Sequence, residues 1–138
     1  MNALVTWKEG LRLEAKADSP YTVTMDSAPA DMTPAAPTPM EYLLMALGGC
    51  TMMDVVSILQ KMRRTIVSFT VELDAKRAAE HPKVFTSATL IYNLTSPDVT
   101  DAEFRRAVDL SQEKYCSVSA MFKTGGTRLT LALNLKRP

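Results

Sequence analysis

Apolar and polar residues alternate singly through the first part of the chain, and turn residues punctuate the alternation. Ala3, Val5 and Trp7 oppose Leu4 and Thr6. After Glu9-Gly10, Leu11, Leu13 and Ala15 oppose Arg12, Glu14 and Lys16; after Asp18-Ser19-Pro20, Tyr21, Val23 and Met25 begin a third run. A period of two is that of a half-buried strand, so the opening predicts a small antiparallel meander. Residues 26 to 39 break the pattern. Pro29, Pro34, Pro37 and Pro39 preclude a regular element, and the stretch is long for a connector. It reads equally as a lid or wall beside the next element and as a plain linker.

That next element organises the chain. From Pro39 to Leu59 apolar residues fall almost all round a helical wheel, which predicts a helix buried on most sides. Pro39 suits a first turn, and Glu41 lies where the helix dipole favours a carboxylate. Gly48-Gly49 weakens the middle by about 1 kcal/mol per glycine relative to Ala, a cost that points to a kink or to close approach by another element. Cys50 comes directly after the pair. The helix is nearly long enough to cross a bilayer, but Asp54, Ser57, the glycine pair and Gln60-Lys61 favour a core helix. Arg63 and Arg64 then oppose the dipole at its end.

Two long alternating runs come next. Val67, Phe69, Val71 and Leu73 share one face, as do Val84, Thr86, Ala88, Leu90, Tyr92 and Leu94, with His81 in the turn between them. Thr100-Asp101-Ala102-Glu103 is a capping box opening a helix with Phe104, Ala107, Val108 and Ser111 on one side, ending near Tyr115-Cys116. Ser117 to Phe122 reads as a short second helix stopped by Gly125-Gly126, and Leu129, Leu131, Leu133 and Leu135 mark a last strand. The order β-β-β-α-β-β-α-α-β, with antiparallel strands in two groups, describes an α+β fold in a single domain over 1–138. One chain offers little to wrap the central helix on all sides. A homodimer packing two such helices between antiparallel sheets would do so.

Composition narrows the function. A formal net charge of +1 with no basic or acidic block argues against nucleic acid or an anionic membrane as partner. Polar residues stand among the first nine where a signal peptide would need its apolar run, and the reading is a cytoplasmic protein. In that reducing compartment the two cysteines, Cys50 and Cys116, are not expected to hold a lasting structural disulfide. With one histidine and no CxxC pair, a zinc site has too few ligands of the usual types.

Two thiols nonetheless allow redox chemistry. A thiolate oxidised by a peroxide becomes a sulfenic acid, which a second thiol traps as a disulfide provided the Cα atoms approach to about 4.4–6.8 Å. The same cysteines could equally be small core residues. Met45, Met52, Met53, Tyr115, Met121 and Phe122 near them could line an apolar pocket or serve core and dimer packing.

Pro39-Met40-Glu41, Gly48-Gly49-Cys50-Thr51, Asp54-Val55-Val56 and Ile58-Leu59 together resemble the OsmC/Ohr family of thiol-dependent hydroperoxide reductases. Glu113-Lys114-Tyr115-Cys116-Ser117-Val118 resembles that family's second cysteine motif, and the element order is similar over essentially the whole chain. The likeness is greatest to the YhfA-like branch. The resemblance implies an OsmC-like fold and an intertwined homodimer with its active sites at the subunit interface. It further implies an enzyme, a peroxidase acting on organic hydroperoxides, with no bound metal or organic cofactor. Cys50 would be the peroxidatic thiol and Cys116 the resolving one, with an external dithiol reductant, such as a lipoyl group on another protein, reopening the disulfide.

The chain departs from the Ohr branch at two points. There a glutamate directly follows the proline and holds a catalytic arginine from the N-terminal hairpin; here Met40 takes that place and Glu41 comes one residue later, about 100° round a helix. Lys8 and Arg12 both lie near the arginine's place, and Arg12 is the candidate. These departures favour the alternative, a non-catalytic OsmC-fold dimer binding a small apolar or thiol-reactive ligand. Retention of both cysteines favours the peroxidase.

Overall fold

The computed structural model describes residues 1–29 and 31–138 and divides into two compact units, Met1–Leu43 and Leu44–Pro138. In the first, β1 (Ala3–Glu9), β2 (Arg12–Ala17) and β3 (Thr22–Met25) form the antiparallel meander, in the order β1-β2-β3. Gly10, with φ of 51°, turns the first hairpin, and the Trp7 indole donates to its carbonyl at 3.0 Å. Every residue of β1 is exposed, Trp7 by 68%.

The connection from Asp26 to α1 (Pro39–Lys61) is pinned at its ends. The Asp26 carboxylate accepts from the amides of Ser27 and Ala35, each at 2.8 Å, and its own amide donates to Pro37. Within the stretch read as a lid or a linker, Ala30 lies outside the described residues. Thr38 and Glu41 then form a reciprocal cap. The Thr38 amide and hydroxyl both donate to the Glu41 carboxylate at 2.7 Å, while the Glu41 amide donates back to the Thr38 hydroxyl at 3.3 Å. Pro39 occupies the first helical position, where its missing N–H costs nothing.

In the second unit β4 (Ser68–Arg77), β5 (Phe85–Thr95) and β6 (Arg128–Lys136) form a sheet in that order. β4 and β5 are antiparallel, but β6 returns parallel to β5, where the alternation pattern suggested antiparallel strands. A parallel return needs a crossover of a dozen or more residues, and the helical segment between β5 and β6 supplies it. A register shift between Lys76 and Arg77 also turns Phe85, rather than Val84, toward the core, where it stacks on Phe122.

The inward face of the sheet presents Ala88, Leu90, Tyr92 and Leu94 to Leu47, Val55 and Leu59 of α1 and to Phe104, Ala107 and Val108 of α2 (Asp101–Leu110). The outward face is polar: Asn93 donates to Glu72 and accepts from Asn134, each at 2.8 Å. Gly48 explains half of the glycine pair, because a Cβ there would stand 2.7 Å from Leu73 of β4. The expectation for α1 needs correction. Only the stripe Leu47, Gly48, Thr51, Val55 and Leu59 is buried, because one chain covers one face; Met45 and Met53 stay exposed.

The helix ends with Arg63 at φ of 58°. The Arg64 amide reaches back to Leu59 and the Arg63 amide to Gln60, the pairing of a Schellman cap. The Arg64 guanidinium then pairs with Glu103, whose carboxylate also completes the α2 capping box with Thr100.

Candidate active site

Cys50 and Asp54 lie one turn apart on α1, so both project from one face. The third participant arrives by a different route. α2 does not run on as a regular helix but widens into a π turn, Ser111–Tyr115, closed by the Cys116 amide donating to the Ser111 carbonyl at 2.8 Å. The widening turns both Ser111 and Gln112 inward, and both are buried. Cys116 leaves the turn extended, with φ of −73° and ψ of 96°, and caps α3 (Ser117–Thr124); its sulfur accepts from the Ser119 amide at 3.3 Å.

The fold therefore brings together residues that lie far apart in sequence. The Sγ atoms of Cys50 and Cys116 and a carboxylate oxygen of Asp54 all lie within 4.8 Å of one another, with both thiols free. Cys116 is buried, while Cys50 and Asp54 are partly exposed. A structural zinc centre takes four donors of this kind. His81 lies on the β4–β5 connection outside the cluster, which is a thiol pair with a carboxylate beside it.

Behind the cluster runs a buried chain of hydroxyls. The Thr51 hydroxyl is its hub, 2.8 Å from the Tyr92 hydroxyl, 2.9 Å from that of Ser111 and 3.1 Å from Gln112 Nε2. Gln112 Nε2 also donates to the Tyr92 hydroxyl at 3.0 Å, and the Ser111 hydroxyl donates to Asp54 Oδ2 at 2.9 Å. A carboxylate only accepts, which fixes the direction of the whole chain. Ser111 donates its one proton to Asp54, so Thr51 donates to Ser111, and Tyr92 donates to Thr51. Each hydroxyl polarises the next toward Asp54.

Burial pushes the Tyr92 phenol up to about 12, against its hydrogen bonds with Thr51 and Gln112, which pull it down. Burial likewise pushes the Cys116 thiol above the ordinary range; the Ser119 contact opposes this and the adjoining Cys50 adds to it. Asp54 also opens onto a groove of about 440 Å³ lined by Ser57, Ile58, Lys61, Met62, Arg106, Leu110 and Tyr115.

Of the other candidates, Arg12 and Glu41 belong to the first unit. Arg12 is exposed at the start of β2, opposite Glu9. The Glu41 carboxylate is held below its usual range by the Thr38 hydroxyl and then the Thr38 amide. Lys8 pairs with Glu14 at 3.0 Å. Met121 is exposed, Tyr115 lines the groove, and Phe122 is core. Sequence reasoning missed Asp54 as a site residue, although its one-turn spacing from Cys50 was available. Thr51, Tyr92, Ser111 and Gln112 carried no such signal, because their meeting depends on the π turn and the strand register.

Comparison with known proteins places this geometry. The model of a family described as OsmC-like protein matches residues 14–132. Protein YhfA of Escherichia coli (strain K12) is 46% identical over 123 residues, covering 89% of this chain and 90% of the relative. A crystal structure of a hypothetical protein from Aquifex aeolicus VF5 superposes with a TM-score of 0.87 at 28% identity, covering 99% of this chain and 96% of the other. The organic hydroperoxide resistance protein OhrB of Bacillus subtilis shares the fold, with a TM-score of 0.62 at 16% identity, covering 96% of this chain and 98% of its own.

Proposed function

We propose, because the chain belongs to the OsmC-like family, that it is a thiol-dependent peroxidase reducing organic hydroperoxides through Cys50 and Cys116. The observation that carries this reading is the approach of the two free thiols to within 4.8 Å from separate elements. The description of the Bacillus subtilis fold relative as an organic hydroperoxide resistance protein supports it. Cys50, the more exposed thiol, takes the peroxide. Its thiolate attacks the distal oxygen, the O–O bond breaks, and the products are a Cys50 sulfenic acid and an alcohol. Cys116 then attacks the sulfenic sulfur, releasing water and leaving a disulfide, which an external dithiol such as a lipoyl group reduces.

In this reading Arg12 supplies the cation that stabilises the Cys50 thiolate and Glu41 is its partner carboxylate. The apolar wall formed by Ile58, Met62, Leu110 and Tyr115 suits an alkyl substituent. The protein works in the cytoplasm as a homodimer, whose second copy covers the open face of α1. One observation favours the alternative of a dimer that binds a thiol-reactive ligand without turnover: the side chain brought beside the thiols is a carboxylate rather than a cation.

One equivalent of cumene hydroperoxide decides between them. The native protein is expected to lose both thiols to a disulfide, and Cys116→Ser to stop at a sulfenic acid that dimedone traps, both read by mass. Survival of both thiols in excess hydroperoxide would remove the peroxidase reading and leave the ligand-binding one.

A further inference from the structure

The resolving step asks for something the two cysteines do not provide. Cys116 is buried and holds its proton more firmly than an ordinary thiol, yet only its thiolate can attack Cys50. The proton must leave as the S–S bond forms. A carboxylate oxygen of Asp54 lies within 4.8 Å of both sulfurs, in a side chain that lines a groove and is oriented from behind by the Ser111 hydroxyl at 2.9 Å.

We propose that Asp54 is the proton carrier of disulfide closure, taking the proton of Cys116 as its sulfur attacks Cys50 and returning it to the group that leaves. This rests on the peroxidase reading for the identity of that leaving group. With a Cys50 sulfenic acid, the Cys116 electron pair forms the S–S bond, the S–O bond breaks, and the departing hydroxide takes the proton from Asp54 to leave as water. The carboxylate is restored, and no further oxidant or reductant enters.

Three features support the assignment. The carboxylate oxygen lies within 4.8 Å of each sulfur, a span that one water or a small closing movement bridges. The directed chain from Gln112 through Tyr92, Thr51 and Ser111 delivers its donor to Oδ2, which fixes the carboxylate and leaves Oδ1 to take the proton. The groove gives the carboxylate contact with solvent, so the proton also has a way out.

The test separates closure from peroxide chemistry by using the aromatic disulfide dithiobis-nitrobenzoate. Attack by Cys50 releases one coloured thiolate, and closure by Cys116 releases a second, so rapid mixing resolves two phases. Asp54→Asn is expected to keep the first phase within about threefold and to slow the second about 100-fold or more, the range of a lost general base. Formate, small enough for the groove, is expected to restore the second phase in Asp54→Ala in proportion to its concentration. Circular dichroism reports folding of each variant.

Closure at the native rate in Asp54→Asn would overturn the assignment, and so would slow closure in Asp54→Ala that formate leaves unchanged, since that marks a structural role. If the native protein closes in an Asp54-dependent, formate-rescued way but ignores hydroperoxide, the proton carrier stands and the peroxidase reading falls.

Discussion

Tyr92 illustrates how much a single buried hydroxyl carries. Its phenol titrates near 12 in the folded chain against 10.0 ordinarily, so the folded state holds the proton longer than the unfolded one. Stability from this source is therefore complete below about pH 10 and is lost as pH rises from there to about 12, a drop of about 2 kcal/mol. Urea unfolding at about pH 9 and about pH 11 should show roughly 1.3 kcal/mol of this loss in the native protein and not in Tyr92→Phe. The substitution leaves every other ionisable group in place, so the difference isolates Tyr92. An equal alkaline loss in the two would show that burial does not hold the Tyr92 phenol neutral. At this scale the sequence was partly readable. Cys50, Cys116 and even Asp54 stand in recognisable places, but a buried tyrosine at an inward strand position looks the same whether it packs or donates.

Among the elements, α1 was legible in its extent and the π turn was not. The run from Asp101 to Tyr115 carries a helical pattern throughout, and a single widened turn leaves no mark in composition. Yet that turn sets Ser111 and Gln112 inward and Cys116 at the head of α3. The glycine pair was legible as a cost but not as two different residues. Gly48 is buried against Leu73, whereas Gly49 is exposed, with nothing among the described residues within 4 Å of an added Cβ. Gly49→Ala should therefore stabilise by about 1 kcal/mol, the ordinary helical gain. Gly48→Ala must turn the Leu73 side chain aside and should fall short of it. Urea midpoints would order the two variants, and a Gly48→Ala as stable as Gly49→Ala would remove close approach as the reason for the first glycine.

For the whole molecule, strand order and helix order came from periodicity alone, because a period of two and a period of 3.6 rarely mimic each other over long runs. The parallel return of β6 did not, since strand direction is set by the crossover and leaves the alternation unchanged. Surplus hydrophobicity was readable and has a consequence for assembly. α1 averages a mean hydropathy of 1.7 over its most apolar window, yet only 28% of that window is buried in one chain. Met53 is 74% exposed and Met45 48%, both off the buried stripe of Leu47, Thr51, Val55 and Leu59. Placing Met53 in an apolar interface contributes about 2 kcal/mol per copy, and a charge there forfeits this and adds a desolvation cost. Sedimentation equilibrium should accordingly give twice the 15.2 kDa of one chain for the native protein and a shift toward monomer for Met53→Glu. Asp101→Lys, at the exposed start of α2 and away from α1 in sequence, is the control and should leave the mass unchanged. A native protein that sediments as one chain would leave the apolar face of α1 to a different partner and remove the homodimer from the mechanism.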